Sequence, residues 1–431
     1  MLNTALHYAA QNGHLNVVKI LFESGANVSH VNKSLETPIF RAASNGHYMV
    51  TNELINLGAD VNKCNITGET PLMQAVLQNH INLTELLLDR GSNVNSRDAN
   101  MRNVIWLSAS QGHEDITTLL LHKKAEFNIS DGNGLTPLTI AAKNGKIKTV
   151  SLLYQQGCNI NEYTMNQNTP LILAAGEGHN DVVSFLISHN ADINLLNKRR
   201  ENALLLASEN GHEYIVKMLI DAGSDIISNI ENIDPLYIAA ARGYHDIVDY
   251  LVISGPIENT SIFQLDSAFL IACLEGQTLI AKMLITVISD INVQDEEGRS
   301  ALWYALWAES DELINILLEN DANVNMPDDS NVTPLMIASA KCHGKMIVEL
   351  LRKGARFAIL IIIYTEKTVF SLQDVGCIFF TYPSDPPRLS FEEFFTPKNF
   401  LNMLVKILSG ELTADQVFNM NNLLTFMLNR Q

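Results

Sequence analysis

Cysteine is scarce in this 431-residue chain, and basic residues are outnumbered by acidic ones. The five cysteines (Cys64, Cys158, Cys273, Cys342 and Cys377) form no CxxC pair and are odd in number. That argues against a disulfide framework and for free thiols in a reducing compartment. Twenty-nine Lys and Arg face forty-seven Asp and Glu, a formal charge of −18. Such a surface repels phosphate backbones and anionic lipid, so neither nucleic acid nor membrane is expected as a partner. Long apolar runs are absent too. The longest, "FAILIIIY" at 357–364, falls far short of the ~20 residues a bilayer span requires. The opening "MLNTALHYAAQNGH" has neither the basic start nor the apolar core of a signal peptide. Catalytic signatures are missing as well: no phosphate-cradling glycine loop, HExxH, nucleophile elbow or Cys/His zinc spacing is found. The expectation is a soluble intracellular protein of the cytoplasm, with the nucleus open to it. It should be no enzyme and take no metal, cofactor or small-molecule substrate.

What the chain has instead is a period. With Gly178 in "LAAGEGH" as marker, the matching positions are Gly13, Gly46, Asn79, Gly112, Gly145, Gly178, Gly211, Gly243, Gly276, Glu309 and Cys342. Successive markers lie 33 residues apart, except for 32 between Gly211 and Gly243. Eleven such units read as a repeat array, each unit stacked on its neighbours. Nine residues before each marker stands Thr4, Thr37, Thr70, Asn103, Thr136, Thr169, Asn202, Asp234, Ser267, Ser300 or Thr333. Every one of these side chains is able to accept from an unpaired N–H at a helix start. Pro follows in six (Pro38, Pro71, Pro137, Pro170, Pro235 and Pro334), at the first helical position, where the missing N–H costs nothing. A short helix with an alanine pair, such as Ala174 and Ala175, comes next, and glycine ends it by adopting positive φ. A second helix sets Val182, Val183, Leu186 and Ile187 at helical spacing.

The cap, "TPL", paired alanines, "GH", apolar second helix and "GADVN" resemble the ankyrin repeat, from about Met1 to Ala358. The resemblance implies an all-α solenoid of helix-turn-helix pairs with hairpin loops projecting to one side. It also implies that the histidine after the marker (His14, His47, His80, His113, His179, His212 and His343) hydrogen-bonds within its own repeat. A side chain that recurs once per repeat is architecture, not a catalytic or zinc-binding centre. The hairpin Asn (Asn62, Asn95, Asn194, Asn292 and Asn325) is read in the same way. Departures carry expectations of their own. Glu309 and Cys342 should each cost about 1 kcal/mol in a left-handed turn, whereas Asn79 suits it. Repeats 9 and 10 read "SAF" and "SAL" without proline, which predicts looser stacking around 260–310.

In proteins that this array resembles, binding positions lie at the hairpin tip and just after the alanine pair. Carried over, these are Ile230, Glu231, Ile233, Ala241 and Arg242 in repeat 8, and Phe263, Gln264, Asp266, Leu274 and Glu275 in repeat 9. Repeat 10 supplies Glu296, Glu297, Arg299, Trp307 and Ala308. Seven of these fifteen are apolar, against five of thirty in repeats 2 to 7, so the contrast points to the later repeats. The expected interface is Ile230, Ile233, Phe263, Leu274 and Trp307, rimmed by Glu296 and Glu297 and presented to an unidentified protein partner. Residues 290–329 hold eleven acidic side chains against one base, Arg299, which would steer a partner carrying Lys or Arg. Drifted repeats, a covering tail and a merely solvated acidic face are the competing readings. The tip Lys198-Arg199-Arg200 is too short for a nucleic-acid site.

Both ends depart from the pattern. The first unit is nearly an internal repeat without its leading hairpin, which suggests a truncated array or a covered end. Residues 359–389 read as an irregular or β-hairpin connector. Residues 390–431 read as a short helical segment with capping boxes at Ser390/Glu393 and Thr413/Gln416, either a cap or a second functional module.

Overall fold

Each repeat starts and stops two helices, and its caps show how. The Thr169 side chain accepts from the Ile172 N–H at 3.2 Å, and Asn103 accepts from Trp106 at 3.0 Å. Ten of the eleven expected caps work in this way. Ser267 does not: it lies inside one continuous helix, Ile262–Leu274. Six repeats hold their capping residue out of the helical region with a following proline. Ala268 exerts no such restraint, but neither do Ala5, Val104, Ala203 and Ala301 after four caps that do work, so nothing among the described residues explains why the helix runs back through Ser267.

The computed structural model describes residues 3–225, 234–254, 262–341 and 343–356, with backbone alone at 254, 262 and 263. Among them are twenty-two helices and no strand, so the chain is an all-α solenoid. It divides into two compact units, Met1–Glu231 and Asn232–Gln431. The first carries repeats 1 to 7, and the described part of the second carries repeats 8 to 11. Cys342 and the segment 359–431 lie outside the described residues.

The first helix of a unit, such as Pro170–Gly176, ends two residues before its marker, and Gly178 then takes φ 82°. Asn79 (φ 58°) and Glu309 (φ 57°) adopt the same left-handed turn without being glycine. The second helix, Asn180–Ser188, buries Val182, Val183 and Leu186 and leaves Ile187 half-buried. Burial comes from the preceding repeat. Val182 is fully buried, whereas Val17, in the same register of the first repeat, is 44% exposed. Around 260–310 the packing is closed: Ala268, Phe269, Ala272, Cys273, Ala301 and Ala305 are all fully buried.

The hairpins are tied twice. Within a tip, one acidic or amide side chain accepts from two backbone N–H groups, as Asp131 does from Asn133 and Leu135 at 2.9 and 2.8 Å. Between tips, backbone bonds run from Ala99 to Thr67, from Gly132 to Asn100 and from Met165 to Asn133. The recurring Asn adds a second rung. Asn62, Asn95, Asn194, Asn292 and Asn325 each accept from the N–H 31 residues further on, at 2.7–2.9 Å.

Candidate functional site

The recurring histidines join neighbouring repeats, which corrects the expectation of a bond within one repeat. The Nε2 atoms of His47, His113, His179 and His212 lie 2.8, 3.2, 2.8 and 3.0 Å from the carbonyls of Gln11, Leu77, Lys143 and Gly176. Each partner stands 36 residues earlier, at the end of the preceding repeat's first helix. The imidazole therefore donates to a carbonyl that the helix end leaves unpaired. The marker glycine also leaves room for the next repeat's histidine ring, although His113 reaches the Leu77 carbonyl past Asn79. A Cβ on Gly178 would stand 2.6 Å from the His212 ring, and one on Gly145 would stand 2.6 Å from His179.

Other reactive-looking groups are equally committed. Among the described residues no cluster of three His, Cys, Asp or Glu is arranged to hold a metal ion. No described helix is long and apolar enough to cross a membrane. Cys64, Cys158 and Cys273 are free thiols. Burial pushes the Cys158 thiol up to about 12 and raises Cys273 further, so neither is a ready nucleophile.

The tenth repeat differs. Trp307, at the end of Ala301–Trp307, is 51% exposed. It stacks on Trp303 one turn earlier, with centroids 5.4 Å apart and planes at 16°. Lys341 Nζ lies over the Trp307 ring at 4.6 Å, and the Arg299 guanidinium lies over Trp303 at 5.2 Å. Both contacts have cation–π geometry. Lys341 also pairs with Glu309 at 3.1 Å. Beneath this ladder, Asp295 accepts from the N–H groups of Glu297 and Arg299 and from the Tyr304 hydroxyl. Burial first, and then the bond to Asp295, push the Tyr304 hydroxyl up to about 12.

Several polar groups here remain unmet. Among the described residues, Trp303 Nε1, Arg299 Nε and His343 Nδ1 are buried without a hydrogen-bond partner. His343 Nε2 lies 2.8 Å from Asp311 Oδ1 at ion-pair distance but without hydrogen-bond geometry. Lys345 meets the other oxygen of Asp311 at 3.2 Å.

Of the predicted interface, Trp307, Glu296 and Glu297 are exposed and Leu274 is half-buried. Glu297 approaches Arg299 at 3.7 Å. Ile230, Ile233 and the Phe263 side chain lie outside the described residues. Sequence reasoning missed Trp303, Arg299 and Lys341 as parts of the ladder, although "WYALW" shows two Trp at i and i+4, which share a helix face. Apolar side chains are open in the first unit as well. Leu35, Ile66, Met101 and Met165, all on hairpin tips of the first unit, are exposed, Ile66 by 66%.

Helix pairs tied by inter-repeat histidines and asparagines, with side chains left open along one register, define a repeat-array interaction module. A family model of ankyrin repeats matches residues 6–98, 105–197, 189–261 and 269–359, and the chain belongs to the ankyrin-repeat family. The fold is a protein–protein interaction module, typically non-enzymatic. The chain is 29% identical over 125 residues to ankyrin repeat and KH domain-containing protein mask-1 of Caenorhabditis elegans, covering 28% of this chain and 5% of that protein. It is 34% identical over 108 residues to human ankyrin repeat and SOCS box protein 16, covering 25% and 24%. The chain thus spans a quarter or less of the length of these relatives. Among solved structures, the human ASB11 ankyrin repeat domain aligns with a TM-score of 0.48 at 24% identity, covering 52% of this chain and 99% of that one.

Proposed function

We propose that the chain is a non-enzymatic cytoplasmic scaffold that binds a protein partner on the inner face of its array, centred on repeat 10. The observation that carries this reading is the exposed Trp307, set in a register used for binding and stacked on Trp303, whose Nε1, like Arg299 Nε above it, has no hydrogen-bond partner among the described residues. Real folds depart from local rules most often where function requires it. Trp, Tyr and Arg dominate interface energetics, and here Trp307, Leu274 and the acidic pair Glu296 and Glu297 would meet an apolar stripe flanked by Lys or Arg. Nucleic acid and membrane are not proposed as partners. Affinity purification of the full chain, followed by mass spectrometry and compared with a Trp307→Ala/Phe263→Ala variant, tests the reading. A protein recovered by the native chain and lost from the variant is expected; identical recovery from both would remove the proposed interface.

A second reading is an adaptor or effector, either a ubiquitin-ligase adaptor or a secreted microbial effector, in which the array selects a target and the segment after the repeats carries another activity. The match to a human protein named for both ankyrin repeats and a SOCS box motivates it, although the proline-rich "LPLP" element sometimes found in such boxes is absent here. Comparing the full chain with one ending at Ala358 tests it. A partner captured only by the full chain is the adaptor's signature, and an unchanged partner set speaks against it.

A further inference from the structure

A groove of about 330 Å³ lies between repeats 6 and 7 of the first unit. Leu173, Gly176 and Leu206 line it, and the hairpin tip carrying Lys198 and Arg199 borders it. Gly176 is the odd residue. At the same register the other ten repeats carry Gln11, Ser44, Leu77, Ser110, Lys143, Glu209, Ala241, Leu274, Trp307 and Ala340. Unlike the marker glycines, Gly176 has no positive φ, and a Cβ there would make only an ordinary contact, 3.5 Å from Leu206. The backbone therefore does not require glycine, and helical glycine is disfavoured relative to alanine. What its missing side chain provides is space above Leu173 and Leu206.

The charge beside this space is unusual for so acidic a chain. Arg199 is engaged with Glu201 at 3.3 Å, and Glu201 also accepts from Asn197 at 2.8 Å. Lys198 and Arg200 are exposed and have no carboxylate partner within the described residues. The other lining acid, Glu177, has no partner among the described residues and follows the far end of the seven-residue helix Pro170–Gly176, roughly 10 Å along it. Lys198 and the Glu201-paired Arg199 thus line the tip end, with Leu173, Gly176 and Leu206 between them and Glu177; Arg200 belongs to the same tip but not to the lining.

We infer that this groove docks a linear segment of a partner protein, one apolar side chain seated over Gly176 and an acidic residue directed to Lys198 at the cationic tip. The volume suits one or two side chains, and Lys198, with no carboxylate partner among the described residues, supplies charge complementarity. The inference rests on the protein-binding reading but uses a surface separate from Trp307.

Panning random linear peptides displayed on phage against the full chain tests it. Enriched sequences should place Leu, Ile, Met or Phe beside Asp or Glu. Their synthetic peptides should bind Gly176→Gln about tenfold more weakly or worse, since a filled pocket rejects its anchor by at least that factor. Lys198→Gln/Arg200→Gln should weaken binding at low salt, and the difference should shrink at high salt. Trp307→Ala should leave these peptides unaffected, so this proposal and the repeat 10 interface fail separately. Enrichment of nothing, enrichment without acidic bias, or equal binding to Gly176→Gln and to the charge variant would overturn it. Matching thermal melts of the variants and the native chain exclude unfolding as the cause.

Discussion

Repeats 4 and 10 are built from the same parts and use them differently. In repeat 4, Arg102 is clamped by Asp98 at 2.7 and 2.6 Å and lies over Trp106, whose Nε1 donates to the Leu135 carbonyl at 2.8 Å. In repeat 10 the corresponding residues are Arg299, Asp295 and Trp303. Here Tyr304, standing where repeat 4 has Leu107, takes an Asp295 oxygen with its hydroxyl, and Arg299 turns towards Glu297. Arg299 Nε and Trp303 Nε1 are then left without acceptors among the described residues. Glu309 occupies the left-handed turn that Gly112 fills in repeat 4. One corner is closed and serves the fold; the other holds unmet groups beside an exposed indole.

The largest test of this contrast is Trp106→Ala. Losing a buried indole should cost about 3–5 kcal/mol in denaturant unfolding. Trp307→Ala should cost about 1 kcal/mol or less and show itself in partner binding instead. The marker register provides the next comparison. Gly178→Ala meets both the left-handed turn and the His212 ring and should cost roughly 2–3 kcal/mol. At Gly58, also left-handed but with nothing within 4 Å of a Cβ, the same change should cost about 1 kcal/mol. Equal losses at the two sites would mean that the histidine contact does not hold the repeats together. Glu309→Gly should raise stability by up to about 1 kcal/mol, even though it removes the surface pair with Lys341.

A smaller effect depends on pH. His7, in the register of Trp106, accepts at Nδ1 from the Thr4 N–H and lies 2.9 Å from the Glu36 carbonyl through Nε2. Burial holds its imidazole below the ordinary value of 6.5, partly offset by the Glu36 carbonyl. The unfolded chain therefore binds the proton first. This contribution is present above 6.5 and is lost as pH falls towards the lowered folded value. Unfolding midpoints measured between about pH 7.5 and about pH 5 should decline more steeply for the native chain than for His7→Gln. Parallel declines would show that another group governs the acid limb.

Much of the architecture was legible because stacking repeats the same demands every thirty-three residues. Caps such as Thr169, marker glycines and the hairpin Asn announce themselves by register alone. Direction was harder to read. Spacing places His179 once per repeat but does not say that its ring reaches the carbonyl of Lys143 in the unit before. Ser267 looked like a cap because residue type does not reveal whether the backbone before it is already helical. Trp307 was visible as an apolar group in a binding register. Its stack on Trp303 and the cation above it depend on rotamers that composition does not specify. Gly176 carried a readable signal, being the sole glycine at its register, that an apolar count ignores.

The closed and open corners are compared most directly by measuring the unfolding free energies of Trp106→Phe and Trp303→Phe. Removing the Trp106 N–H strands the Leu135 carbonyl and should cost about 1–3 kcal/mol. Removing the Trp303 N–H deletes a donor that has no acceptor among the described residues and should leave stability unchanged within about 0.5 kcal/mol, or raise it. Equal losses from the two substitutions would contradict the division of roles between these repeats.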